Sequence, residues 1–353
     1  MKNCECDSPG YCQFFNKEMG ENPPHWQWCQ NASESERKHY KTVCDSYNNK
    51  DFRISPLMSR DGLVSFVTIN DLIEDCKNHL IPKLGGLKLE GVAGVPRSGL
   101  LPASICALLL NIPLYSFNSS GDLCPLSAGS QFGGQRMKDY EQGEGKILVL
   151  DDTVYTGRSI NEVKEILKKN KQILYGSLYV HPKSLHEINI YGKELTAPHL
   201  LEWSFFNSGY IKHAVLDFDG ILSPNVPHEI CQNEADYIDY ITNVEPLYHR
   251  LPHTYTCKGI ATARLEKYRD ITEAWLEKYK VKYGFLYMFP TEKEKERNSN
   301  HIFEAAEFKS KIFMESNAAY FVESEPAEAK LIKKRCHKPV ICPDEGNTTS
   351  RSL

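Results

Sequence analysis

The sequence predicts an α/β protein: two doubly wound, Rossmann-like domains with parallel sheets, preceded by a small cysteine-rich module. Apolar runs of strand length alternate with amphipathic helical segments, which implies parallel strands covered by helices on both faces. The alternation stops near residue 200 and restarts near residue 213. A chain of 353 residues also exceeds one ordinary core and suits two domains of about 100–200 residues each. The expected boundaries are 1–50 for the cysteine-rich module, 51–200 and 205–345 for the two α/β domains, and 346–353 for a flexible tail.

Composition narrows the function classes. Hydrophobic content of 41% and charged content of 25% match a soluble globular protein. A net charge of −4 gives no electrostatic reason to bind nucleic acid. An anionic ligand therefore needs a local cationic or metal-bearing pocket. The opening MKNCECDSPG lacks the apolar core of a signal peptide. The longest apolar run, Ala103 to Leu110, falls far short of the about 20 residues that cross a bilayer. A cytoplasmic protein without membrane contact is expected.

The elements follow in order. Of twelve cysteines, four cluster at the start: Cys4, Cys6, Cys12 and Cys29 offer thiolates for Zn2+ or an iron-sulfur cluster. Their spacing fits no regular zinc pattern, and a loosely ordered tail with reduced thiols is the alternative. A helical segment spans Ile69 to Leu80. In LEGVAGVPRSGLLPASICALLL a short apolar strand gives way to a Gly/Pro/Arg loop and then an apolar helix. LNIPLYSF reads as a strand, 121–145 as a loop, and KILVLDD as a buried strand bounded by turn residues. SINEVKEILKKN then places Ile160, Val163, Ile166 and Leu167 on one helical face, and ILYGSLYV is the next strand. Ligands of such a sheet sit at the carboxyl ends of its strands.

The turn in DDTVYTGRS follows a buried strand and opens a helix, so the backbone N–H groups of Tyr155 through Ser159 can converge on an anion at the positive end of the helix. Asp151 and Asp152 repel phosphate but accept hydrogen bonds from vicinal hydroxyls, and a ribose phosphate carries both groups. This stretch resembles the 5-phosphoribosyl 1-diphosphate (PRPP) loop of type I phosphoribosyltransferases. The resemblance implies that Asp151 and Asp152 hold the ribose hydroxyls, with Tyr155, Thr156, Gly157, Arg158 and Ser159 around the 5-phosphate. It also makes GVPRSGL the diphosphate loop, with Arg97, Ser98, Gly99 and a bridging Mg2+ facing the leaving group. SAGSQFGGQR stands where the family has a flexible hood. Purine-type members carry an acidic residue where this chain has Tyr155, so the acceptor stays unnamed. Homodimerisation through the sheet edge is a further implication.

The second series contains HAVLDFDGIL, CKGIATARLEKYRDITEAWLEKY, AYFVESEP and PVIC. Asp217 and Asp219 follow a buried strand beside a Gly turn, an arrangement suited to a nucleophilic carboxylate, a second carboxyl as general acid/base, and Mg2+. This resembles the first motif of the haloacid dehalogenase (HAD) superfamily. The resemblance then implies Thr262 as the hydroxyl that binds phosphoryl oxygens, and Lys309 (or the nearby Lys311) as the lysine that offsets charge. Glu323 and Glu325 become Mg2+ partners with Asp217 and Asp219, although the family usually has aspartates there. Arg264 and Arg297 are either steering charges or plain surface charge, and TEKEKERNSN reads as a solvated loop. Only about thirty residues separate the first two motifs, too few for a large cap.

Together the two resemblances imply a bifunctional enzyme. PRPP ribosylates a small-molecule acceptor, and a Mg2+-dependent phosphatase then removes a phosphate monoester from that sugar phosphate or nucleotide to give a nucleoside-like product. The alternative is a module that senses PRPP or a nucleotide, joined to a HAD phosphatase or an inactive HAD domain.

Overall fold

The computed structural model describes residues 64–126, 145–170, 172–196 and 198–343, all within one compact unit, residues 56–353. Cys4, Cys6, Cys12 and Cys29, most of the Gly/Ser/Gln-rich loop and the tail lie outside the described residues. No helix among the described residues is long and apolar enough to cross a membrane.

Strand β1 (Ser65–Val67) precedes a six-stranded sheet made of β2 (Leu89–Gly94), β3 (Leu114–Phe117), β4 (Leu123–Pro125), β5 (Lys146–Val154), β6 (Ile173–Val180) and β7 (Ile190–Glu194). The spatial order is β4-β3-β2-β5-β6-β7, parallel throughout except for the antiparallel edge pair β3/β4. β5 lies at the centre because its run from Leu148 to Leu150 is fully buried, as a strand covered on both faces requires. The helix Arg158–Leu167 covers one face through Ile160, Val163 and Leu167. The helix Leu100–Leu110 buries Ala103 and Cys106 in the other cluster while Leu108 and Leu109 remain exposed.

After β8 (His199–Leu201), which pairs in parallel with β1, comes a five-stranded parallel sheet. It contains β9 (Ala214–Leu216), β10 (Gly259–Leu265), β11 (Leu286–Phe289), β12 (Tyr320–Val322) and β13 (Val340–Ile341), in the order β11-β10-β9-β12-β13. Both sheets reverse their strand order once, between β2 and β5 and between β9 and β12. Such reversals open a crevice beyond the carboxyl ends of the two strands. The loops at those ends are 95–99 with 155–159, and 217–220 with 323–325.

Three features differ from the sequence reading. TEKEKERNSN is helical, a 3-10 turn at Thr291–Lys293 followed by the helix Glu294–Ser299. Its mixed charges suit the exposed face of a helix as well as a loop. The segment NSGYIK, in the break between the two alternating series, buries Ile211 completely. Finally, Phe66, Leu200, Phe205, Phe206 and Ile211 pack in one cluster with Leu216, Phe218, Trp275 and Tyr320. The two-stranded sheet and the joining segment thus contribute to the second core, while Val67, Leu201 and Trp203 pack on the first.

Candidate functional site

In the first crevice, the loop after β2 is tied to the next strand by Val95 N–H donating to Leu150 O at 2.9 Å. Gly99 makes this approach possible: a Cβ there would lie 2.6 Å from Val95 O and 2.7 Å from Leu150 O. Arg97 is exposed and Ser98 half-buried at the rim, and the Pro96–Arg97 peptide is cis.

Asp151 and Asp152 lie near the end of β5, which runs on to Val154, and both are buried. Asp151 Oδ1 accepts from Asp152 N–H at 2.9 Å, and Asp152 Oδ1 accepts from Thr153 N–H at 2.9 Å. Asp152 Oδ2 takes the indole N–H of Trp203 at 2.8 Å. Burial, then the neighbouring Asp152 charge, pushes the Asp151 carboxyl up to about 8. Each carboxylate oxygen can accept more than one hydrogen bond, so the pair keeps acceptor capacity that suits a vicinal diol.

The chain then turns through Tyr155, Thr156 and Gly157 into the helix Arg158–Leu167. Gly157 caps that helix at φ 77°, no side chain caps it, and its first turn carries no acid. The free N–H groups and positive end of the helix therefore face a cavity of about 170 Å³ lined by Asp151 and residues 153–160. A second cavity of about 330 Å³ meets it at Ser159 and is walled by Pro96, Phe117, Asn118 and Glu162.

Sequence reasoning missed three residues here, Trp203 and two histidines. His199 Nε2 donates to Leu195 O at 2.9 Å, which leaves Nδ1 to accept from Thr153 Oγ1 at 2.5 Å. Burial holds that imidazole down to about 4, so it is neutral. The Tyr155 ring sits edge-on to His181 and His199, at centroid distances of 4.8 and 5.1 Å. His199 comes from β8 and His181 from the turn that follows β6, so no local motif announced them.

In the second crevice Asp217 and Glu323 end adjacent strands, bound by Asp217 N–H to Val322 O at 2.9 Å. Lys309, on the helix His301–Glu315, is 2% exposed and places Nζ 3.0 Å from Asp217 Oδ2, 2.7 Å from Glu323 Oε2 and 2.7 Å from Glu328 Oε2. Burial alone would lower this ammonium, but the three carboxylates outweigh it and hold the group well above its ordinary value. Lys311, the alternative, is exposed. Glu328 was not foreseen, since its helix Pro326–Cys336 turns it back toward Glu323 only in three dimensions.

Asp219 is held by a bidentate ion pair, Arg264 Nε to Oδ2 at 2.9 Å and Nη2 to Oδ1 at 2.6 Å, with Ser223 Oγ donating to Oδ1 at 3.1 Å. Arg264 is therefore not surface charge: it is 2% exposed and lies 3.8 Å over the Phe218 ring. Arg297 instead braces Ala263 O at 2.8 Å and the Asn298 side chain. Thr262, also buried, accepts from Arg264 N–H at 3.1 Å.

The expected Mg2+ set of Asp217, Asp219, Glu323 and Glu325 is not assembled. Glu325 Oε1 accepts from Ala327 N–H at 3.2 Å and caps the helix that Pro326 begins, a position proline favours. Among the described residues no group of three or more His, Cys, Asp or Glu side chains is arranged to hold a metal ion. The donor set nevertheless suits a divalent cation: the carboxyls of Asp217, Asp219, Glu323 and Glu328 outnumber the cations Lys309 and Arg264 beside them, His301 lies 3.8 Å from Glu328, and burial raises the Asp217, Glu323 and Glu328 carboxyls. Asp217 and Glu323, at adjacent strand ends, are the residues that would hold it.

No family model matches the chain. An adenine phosphoribosyltransferase of Leuconostoc citreum is 28% identical over 136 residues, 36% of this chain and 71% of that protein. Among solved structures, a purine phosphoribosyltransferase of Pyrococcus horikoshii is 20% identical with a TM-score of 0.29, over 39% of this chain and 92% of that one. The xanthine-guanine-hypoxanthine phosphoribosyltransferase of Helicobacter pylori is 17% identical with a TM-score of 0.29, over 39% of this chain and 91% of that one. The chain is thus an α/β protein of parallel sheets that carries, over 36% of its length, a segment similar in sequence to a phosphoribosyltransferase.

Proposed function

We propose that the chain transfers a phosphoribosyl group from PRPP to a small acceptor in the first crevice and removes a phosphate monoester, by HAD-type chemistry, in the second. The observation that carries the first step is the turn 151–159: buried Asp151 and a helix start with no side-chain cap and no acid in its own first turn line one cavity, with Asp152 buried next to Asp151. In this reading Asp151 and Asp152 accept from the ribose 2- and 3-hydroxyls. The amides of Thr156 to Ser159 hold the 5-phosphate, with Tyr155 fixing the turn by its packing against the two histidines. Arg97, with the backbone around Ser98 and Gly99, faces the departing diphosphate. The anomeric carbon then lies between the two loops and gains positive character as the diphosphate leaves, so catalysis is positioning plus stabilisation of the leaving anion. Bound Mg2+ supplies further neutralisation of the diphosphate oxygens.

The second step rests on the residues and their geometry alone. Asp217 is the nucleophile, Lys309 offsets its charge, and Thr262 stands at the end of the neighbouring strand for phosphoryl oxygens. A Mg2+ held by Asp217 and Glu323 supplies charge neutralisation for the incoming phosphate. The experiment compares the wild-type chain with Asp217→Asn, each given PRPP, Mg2+ and a cell metabolite extract. A phosphorylated ribosyl product that accumulates only in the variant supports the scheme. A product already free of phosphate in the variant contradicts the coupling of the two steps, and unconsumed PRPP contradicts the transferase.

A further inference from the structure

The segment that joins the two sheets touches both crevices through consecutive side chains. Trp203 donates its indole N–H to Asp152 Oδ2 at 2.8 Å. Its neighbour Glu202 accepts from Ile69 N–H through Oε2 at 2.9 Å and faces Arg250 Nη2 through Oε1 at 3.8 Å. Both partners of that ion pair are largely buried, with side chains 8% and 13% exposed, so solvent screens it little. Arg250 in turn donates Nη1 to Gly220 O at 2.9 Å, a buried bond.

Gly220 is the pivot of the turn that carries Asp217 and Asp219. It has φ 81°, and a Cβ there would lie 2.3 Å from Ser324 Oγ and 2.6 Å from Asn225 Oδ1. The same turn is pinned by Ser324 Oγ donating to Asp219 O at 2.9 Å and by Gly220 N–H donating to Ser223 O at 2.6 Å. A shift of the Arg250 guanidinium is therefore delivered to a turn with little room to absorb it. The joining segment cannot give way either, because Leu200, Phe205 and Phe206 are locked in the second core.

We propose that Trp203, Glu202 and Arg250 are positioning residues that couple the two sites, so that a ligand on Asp151 and Asp152 orders the Asp217–Asp219 turn and tightens anion binding there. The proposal rests on the functional reading above and adds to it a linkage between the sites. Ligand on the first pair fixes the Asp152 carboxylate, hence Trp203 and Glu202, hence the carbonyl that Arg250 holds. The second ligand then meets a turn already ordered, which is positive coupling, and by linkage the effect is reciprocal.

The test measures PRPP binding to the full chain with Mg2+, by calorimetry, with and without saturating orthovanadate as the probe of the second site, and then the reverse titration. In the wild type each ligand tightens the other by the same factor, about 5-fold or more, the lower end of typical site-to-site coupling. In Trp203→Phe and in Glu202→Gln the factor falls below about 2, whatever the affinity for each ligand alone. As a measurement that needs no variant, PRPP slows amide exchange in residues 217–223 of the wild type. Two ligands that bind independently in the wild type, or a factor unchanged in both variants, overturn the coupling and leave the functional reading standing. Failure of PRPP or of orthovanadate to bind the wild type at all overturns that reading, and the coupling with it.

Discussion

Replacing Lys309 by methionine tests the core of the second crevice. The substitution keeps the length of the side chain and removes the ammonium that lies 2.7 to 3.0 Å from Asp217, Glu323 and Glu328. All four side chains are nearly sealed from solvent. Three carboxylates are left facing one another across a thioether. Breaking one buried ion pair by removing a partner costs about 3–5 kcal/mol, and this lysine serves three, so the lower bound at neutral pH is about 3 kcal/mol. Lys311→Met, two positions along the same helix on its exposed side, is the control and stays within about 0.5 kcal/mol. Equilibrium urea unfolding at pH 7.5, followed by tryptophan fluorescence, reads both; Trp275 lies in the core beside Phe218. A loss below about 1 kcal/mol for Lys309→Met, or equal losses for the two variants, would refute the placement of Lys309 among three carboxylates.

Gly99→Ala forces a Cβ to within 2.7 Å of two backbone carbonyl oxygens, that of Val95 just past β2 and that of Leu150 in β5, so PRPP binding is lost in calorimetry and the melting temperature falls. The Asp151 carboxyl, raised to about 8 from 3.8 by burial and Asp152, binds its proton more tightly folded than unfolded. Its contribution to stability is therefore full below about pH 4 and is lost as pH rises to about 8. Asp151→Asn removes that loss, so the fall in melting temperature between pH 5 and pH 8 is smaller in the variant than in the wild type. Glu325→Ala removes a helix cap and costs about 1 kcal/mol in urea unfolding without changing Mg2+ affinity. Glu323→Gln weakens Mg2+ binding in calorimetric titration, and equal effects of the two variants on Mg2+ would restore Glu325 to the metal set.

What the sequence disclosed was local. The continuous apolar run of β5, the helical spacing of Ile160, Val163 and Leu167, and the eight residues of β6 are visible because neighbours along the chain decide them. The short strands β7 and β8 escaped notice, since three to five residues carry too little periodicity. The burial of Ile211 in a polar-looking segment depends on a core supplied by distant strands.

The sites show the same division. The strand-end aspartates and the glycines were legible because a buried strand that ends in acid and a turn that needs φ above zero both leave marks in adjacent residues. Glu328, His199, Trp203 and the burial of Arg264 left none, since each is defined by a partner far along the chain. Glu325 misled because its spacing suited a ligand pair, while the following Pro326 made it a cap.

The central claim is that the turn from Asp151 to Ser159 seats a ribose phosphate, and the position of PRPP in a crystal of the full chain with Mg2+ tests it most directly. The expected electron density places the ribose hydroxyls within hydrogen-bond distance of Asp151 and Asp152, and the 5-phosphate against the amides of Thr156 to Ser159. PRPP lodged anywhere else contradicts the claim.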